Sequence, residues 1–218
     1  GEAPLPRDHY SLGAAQVAGF ENNGIISSLK HFPGHGDTNV DSHTGLPRVN
    51  HAKEVIYQQD LAPFKQIIAT QSPGMIMTAH IQYPALDSST FTSVDGKSMI
   101  KPATMSRKII TDILRHELNY NGVVVTDALD MAGISHFFNP TQAVINTFAA
   151  GVDIALMPIE IRTIDDLTKL DQLIKDLVAA VKSKQLNQQE ITESAQRITR
   201  LKSKFKLNTS FNAIDALV

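Results

Sequence analysis

Apolar positions along the 218-residue chain switch repeatedly between short runs and a helical spacing, which predicts strands and helices in alternation. After an extended lead-in at Pro4 and Pro6, Leu12, Ala15 and Phe20 share a face of a first helix that Asn23-Gly24 ends. The apolar run at residues 25–29 then reads as a strand delivering into Lys30 and His31. Asp60 is placed to cap a second helix, with Pro63 tolerated in its first turn and Phe64, Ile67 and Ile68 as its stripe. Residues 74–80, GMIMTAH, read as a buried strand ending in His80. Residues 81–103, punctuated by Pro84, Asp87, Ser88, Asp95-Gly96 and Pro102, read as one long irregular loop.

The same alternation continues. Ile109, Ile110, Ile113, Leu114 and Leu118 line one face of a helix stopped by Asn121-Gly122. Residues 123–125 form a third strand running into Thr126-Asp127. Asn139 and Pro140 open a helix through Val144 and Phe148 to Gly151, and residues 152–157 are a fourth strand candidate. Thr163 with Asp166 has the form of a capping box, opening a helix with Leu167, Leu170, Leu173, Ile174, Leu177, Val178 and Val181 inward. Asn187 with Glu190 opens a last helix with Ile191, Ala195, Ile198, Leu201 and Phe205 inward; Lys202, Lys204 and Lys206 suit the dipole near its end.

Four strand–helix units with buried strands imply an α/β fold with a parallel sheet. Three of the strands end in ionisable residues: Lys30 with His31, His80, and Asp127. Ligands bind at the carboxyl ends of parallel strands, both in open doubly-wound sheets and in (β/α)₈ barrels, and the pattern alone leaves both open. No GxGxxG follows a strand, so a dinucleotide site has no support.

Composition narrows the functional classes. A net charge of −2 points to neither nucleic acid nor an anionic membrane surface as partner, and no apolar run reaches membrane-spanning length. The absence of cysteine excludes disulfides, thiolate nucleophiles and cysteine-ligated metals.

The chemistry is concentrated at residues 30–43, KHFPGHGDTNVDSH, with three histidines and two aspartates in fourteen positions. Pro33, Gly34 and Gly36 interrupt both regular periodicities, so the stretch reads as a loop carrying reactive groups. A metal site built from His31, His35, Asp41 and His43 is a competing reading. Against it, Pro33-Gly34 denies the HxxxH pair a shared helical face, and no HExxH is present. Asp127 at a strand end serves as a held carboxylate or as a helix cap, and Asp130 is its alternative.

KHFPGHGDTNVDSH, TAH at 78–80 and VVVTDALDM at 123–131 together resemble glycoside hydrolase family 3, in its β-N-acetylglucosaminidase (β-N-acetylhexosaminidase) branch. The resemblance covers residue 12 to about residue 207. It implies a (β/α)₈ barrel of the TIM type, an activity that needs no cofactor or metal, and N-acetylglucosamine-containing glycans as partners. Such a barrel takes roughly 250 residues, so residues 1–207 are expected to be its C-terminal half, strands five to eight, followed by a tail at 208–218. The family's sugar-gripping aspartate and arginine belong to the other half, so the fragment is expected to be weakly active or inactive alone. Two such half-barrels, with open edges, are expected to pair as a homodimer.

The resemblance also assigns roles. Asp127 is the nucleophile of a retaining mechanism. His43 is the acid/base and Asp41 its orienting partner, although an Asx-turn at Asp41 beside an exposed histidine fits the same residues. Lys30 and His31 contact substrate hydroxyls, His80 lines the site or holds its wall, and His35 braces the loop. Arg48 reaches the aglycone side or the surface, and Met131 packs near the N-acetyl group or in the core. A β-glucosidase is the nearest alternative activity. The resemblance leaves the compartment of the parent protein, cytoplasmic or cell-wall-associated, open.

Overall fold

The computed structural model describes residues 6–35, 38 and 46–207. Helix α1 (Pro6–Asn22) precedes strand β1 (Ser28–Phe32). The buried face of α1 is Ala14 and Val17 against Ile67, whereas Leu12 and Phe20 point outward, contrary to expectation. Gly13 lies against the same partner, where a Cβ would sit 2.9 Å from Ile67 Cδ1, so α1 makes its close approach on this face. Helix α2 (Lys53–Val55) continues as a π-helical turn, Ile56–Asp60, into α3 (Ala62–Gln71). Leu61, not Asp60, occupies the N-cap of α3, because Asp60 Oδ2 is held 3.0 Å from His51 Nδ1.

Strand β2 (Met75–Thr78) follows, and the segment expected to be an irregular loop contains an antiparallel hairpin, β3 (Thr90–Thr92) with β4 (Ser98–Ile100). Its three-residue strands are too short to show alternation. It is fastened instead by side chains: Phe91 stacks on Phe138 with centroids 4.2 Å apart, and Gln82 Nε2 donates to the Ile100 carbonyl at 2.7 Å. A 3-10 turn, Ala103–Met105, leads to a π-helix, Lys108–Glu117, that buries Ile109, Ile110, Ile113 and Leu114. Asn119, in the left-handed region at φ +54°, ends this helix before the predicted Asn121-Gly122 stop.

Beyond it come β5 (Val123–Thr126), α4 (Ala132–Ser135), α5 (Pro140–Ala150), a 3-10 turn at Ile164–Asp166, α6 (Leu167–Lys182) and α7 (Gln188–Lys204). The predicted caps form: Asn139 accepts from the Gln142 N–H, Thr163 and Asp166 make a capping box, and Asn187 accepts from the N–H groups of Gln189 and Glu190. Gly151 ends α5 at φ +104°, where a Cβ would also strike Thr111 Oγ1 at 2.6 Å.

The main sheet is parallel in the order β1-β2-β5, with Leu29, Ile76 and Val124 in register. The expected fourth strand is reduced to a single parallel bridge from Ile154 to Val125. Backbone bonds from the Asp153 N–H to the Val124 carbonyl at 2.8 Å and from the Thr126 N–H to the Ile154 carbonyl at 3.0 Å hold it to β5, and side chains add to them: Asp153 Oδ2 accepts from the Val124 N–H at 2.8 Å, and Thr126 Oγ1 accepts from the Leu156 N–H at 2.9 Å.

The largest core lies on the face of Ile76 and Val124, packed by Phe64, Ile68, Ile109, Ile110 and Leu114. On the opposite face Ser28 and Lys30 are exposed, and Met75 and Met77 are half-buried. The late helices pack less than expected. In α6 only Leu173 and Ala180 are buried while Leu167, Ile174 and Val178 are exposed, and in α7 no residue is buried and Ala195 faces out. Among the described residues no helix is long and apolar enough to cross a membrane.

Candidate active site

Three adjacent strands bring their last residues to one end of the sheet. Phe32, Thr78 and Thr126 are in register, so His31, His80 and Asp127 emerge together. They line a cavity of about 190 Å³ with His35, Thr38, Pro47, Met131 and Gly133 among its other walls. His31 Nε2 lies 3.4 Å from Asp127 Oδ2, with each side chain about a quarter exposed. Asp127 Oδ1 accepts from the Ala128 N–H at 2.8 Å, which leaves Oδ2 as the oxygen beside His31. Burial lowers the His31 pKa, Asp127 opposes that fall, and the nearby Lys30 and His35 add to it.

The turn after β1 is fixed from below. Lys30-His31 and Phe32-Pro33 are cis peptides, and the Gly34 N–H donates to the His31 carbonyl at 2.8 Å. Gly34 has φ +139°, and a Cβ there would lie 2.9 Å from the Asp60 Cβ, so the position needs glycine on both counts. The fully buried Tyr83 donates its hydroxyl to the Gly34 carbonyl at 2.5 Å. Burial, with Asp60 nearby, pushes the Tyr83 pKa well above the usual phenol range, so it stays a donor.

His80 is buried and fully engaged by protein. Its Nε2 lies 3.0 Å from the Ala128 carbonyl and its Nδ1 2.9 Å from Thr104 Oγ1. Because a carbonyl only accepts, Nε2 carries a proton. Burial lowers the His80 pKa, outweighing the Ala128 carbonyl and Asp127.

The remaining predicted residues are distributed as follows. Lys30 is exposed on β1, and Met131 lines the cavity at 42% exposure. His35 also lines it, with its ring edge-on to His31 at 5.7 Å and Nδ1 3.3 Å from Thr38 Oγ1. Arg48 and Asp130 are exposed and are not among the cavity's walls. Asp41 and His43 lie outside the described residues. Among the described residues no group of three or more His, Asp or Glu could hold a metal ion. Sequence reasoning missed Thr104 and Tyr83. Tyr83 belongs to the irregular stretch at 81–103 and Thr104 follows directly after it, where no periodicity marks a buried hydroxyl.

A parallel α/β sheet with ionisable groups at neighbouring carboxyl ends is a site architecture of α/β enzymes, shared by TIM-type barrels and open doubly-wound sheets. The model for the glycosyl hydrolase family 3 N terminal domain matches residues 6–201, and the chain belongs to that family. It is 59% identical to beta-hexosaminidase A of Pseudoalteromonas piscicida over 93% of this chain and 34% of the relative. It is 37% identical to a beta-hexosaminidase of Chromobacterium violaceum over 70% of this chain and 39% of the relative. Among solved structures, the family 3 beta-N-acetylglucosaminidase of Paenibacillus sp. str. FPU-7 superposes with TM-score 0.78 at 36% identity, covering 92% of this chain and 35% of that one. The chain thus spans 34 to 39% of the length of these curated relatives.

Proposed function

We propose that residues 1–207 are strands five to eight of a TIM-type catalytic barrel. The whole protein would be a retaining glycosidase that removes terminal β-linked N-acetylglucosamine, or a related N-acetylhexosamine, from cell-wall or chitin-type oligosaccharides. The named activities of the relatives support this reading. So does the sheet face bearing Ser28 and Lys30, left open where further strands would close it. Two copies pairing across that face is the alternative arrangement. The other half of the barrel is the better fit, because the relatives extend well beyond this chain.

The observation that carries the mechanism is Asp127, whose Oδ1 is tied to backbone while Oδ2 faces His31 Nε2 at 3.4 Å, both residues lining the cavity. Oδ2 attacks the anomeric carbon as the bond to the leaving oxygen breaks, giving a covalent glycosyl-enzyme that water then resolves. His43, oriented by Asp41, gives its proton to the leaving oxygen and takes one from the water. His31 and Lys30 donate to ring hydroxyls, and Met131 meets the N-acetyl group. Arg48 serves the aglycone side.

Mass spectrometry after incubation with an activated fluoro-sugar tests the assignment on a protein that also contains strands one to four. An adduct is expected on Asp127, and one on any other residue overturns the nucleophile. Asp127→Asn should lower turnover about a thousandfold or more. His43→Ala should cost poor leaving groups far more than activated aryl ones, and equal losses would remove His43 as the acid.

A further inference from the structure

We propose that Thr104 is a positioning residue for Asp127, acting through His80; the proposal rests on the reading of Asp127 as the nucleophile. Thr104 is fully buried in the 3-10 turn after the hairpin, and its Oγ1 meets three groups, each at 2.9 Å: Thr78 Oγ1, His80 Nδ1 and the Ala79 carbonyl.

Counting protons gives these contacts a direction. The Ala128 carbonyl requires the His80 proton on Nε2, so Nδ1 of the neutral ring is a lone pair, and the single Thr104 hydroxyl proton is shared between Nδ1 and the Ala79 carbonyl, both acceptors at 2.9 Å. The Thr104 oxygen then accepts from the Thr78 hydroxyl, and the Ala79 carbonyl keeps the Thr104 N–H at 3.3 Å. The bonds run Thr78 to Thr104 to His80 to the Ala128 carbonyl. Ala128 in turn donates its N–H to Asp127 Oδ1, and the Asp127 N–H donates to the Thr78 carbonyl at 3.3 Å. The circuit closes on the residue where it began. It determines which carboxylate oxygen is tied down and leaves Oδ2 beside His31. Without the Thr104 hydroxyl, the Nδ1 lone pair of this tautomer is buried with no donor, and the ring cannot relieve it by moving its proton, because the other tautomer would point a lone pair at the Ala128 carbonyl.

Nitrogen-15 NMR of the histidine rings and amide exchange on this chain test the proposal. The native chain should show His80 as a single Nε2–H tautomer with a protected Ala128 amide. Thr104→Val should shift the His80 Nδ1 resonance, which loses its hydrogen-bond donor, and speed Ala128 exchange about tenfold or more, while Thr104→Ser stays within about threefold of native. The Val124 amide, bonded to Asp153 and outside this circuit, should not change in either variant and reports the fold. If Thr104→Val loses Val124 protection, Thr104→Ala replaces it in the same comparison. A hydroxyl-less variant with a native His80 Nδ1 resonance and native Ala128 exchange overturns the proposal, and so does a Thr104→Ser variant that behaves like Val. The nucleophile reading is judged separately, by where the fluoro-sugar adduct forms.

Discussion

The two ends of the parallel sheet treat charge in opposite ways. At the carboxyl end, His31 and Asp127 face each other at 3.4 Å, both partly exposed, with one carboxylate oxygen uncommitted to backbone. Below the first residues of β5, Asp153 is completely enclosed and both its oxygens are occupied. Oδ2 accepts from Arg115 at 2.7 Å and the Val124 N–H at 2.8 Å, and Oδ1 accepts from Arg197 Nε at 2.9 Å. Arg115 also donates to the carbonyls of Gly122 and Gly151, so this cluster ties β5, the end of α5 and α7 together. Burial lowers the Arg115 pKa and Asp153 opposes the shift, as expected of a guanidinium taken out of water but matched. A saturated ion cluster holds a structure. An unsaturated one has capacity left for a substrate.

Removing the central charge of each pair should expose this difference. Asp153→Ala leaves Arg115 and Arg197 without their carboxylate and should cost about 3–5 kcal/mol of stability, read as a lowered urea midpoint. Asp127→Asn should change stability by no more than about 1 kcal/mol, while lowering turnover about a thousandfold or more in a protein that also contains strands one to four. Equal stability losses at the two aspartates would erase the distinction.

Tyr83 links the scaffold to the site, and its loss should be intermediate. Tyr83→Phe leaves the Gly34 carbonyl without its donor, which should cost about 1–3 kcal/mol. The added signature is local. Resonances of His31 should move, because the Gly34 N–H holds the His31 carbonyl, whereas those of Arg115 should not. A uniform shift across both would make Tyr83 an ordinary core residue.

What could be read from the sequence follows physical range. Strand ends and helix caps depend on neighbours within a few residues, so His31, His80, Asp127, Asn139 and Asn187 were all legible. The stripe of α1 was misplaced because its burial depends on the close contact between Gly13 and Ile67, a partner more than fifty residues away. Thr104 and Tyr83 were invisible for a related reason. A buried hydroxyl has the same sequence appearance as a solvated one, and each finds its partner across some twenty-five to fifty positions. The hairpin hid because each of its strands is three residues long.

The smallest expected effect is in acid, and it separates the two ends by pH. His31 and His80 have pKa values below the ordinary 6.5, chiefly through burial, so the folded chain holds them neutral where the unfolded chain begins to protonate. The unfolded state then binds more protons, and stability falls as pH drops below 6.5, continuing until the folded rings also protonate. Glu21 and Asp87 act in the same direction but in a lower pH window. Burial pushes each upward, but hydrogen bonds and cations outweigh it and leave both pKa values lowered, so their contribution is lost only below the ordinary 4.5 and 3.8. Acid unfolding should therefore begin at the carboxyl end and finish elsewhere. The Asp127→Asn variant sharpens this, because Asp127 is what opposes the lowering of both histidines. Its removal should drop their folded pKa values further and widen the first window, steepening the loss of urea midpoint just below 6.5 while leaving the later phase unchanged. An identical pH profile for wild type and Asp127→Asn would mean that the carboxylate does not act on the two rings, and that the site's histidines are as independent of Asp127 as Glu21 is.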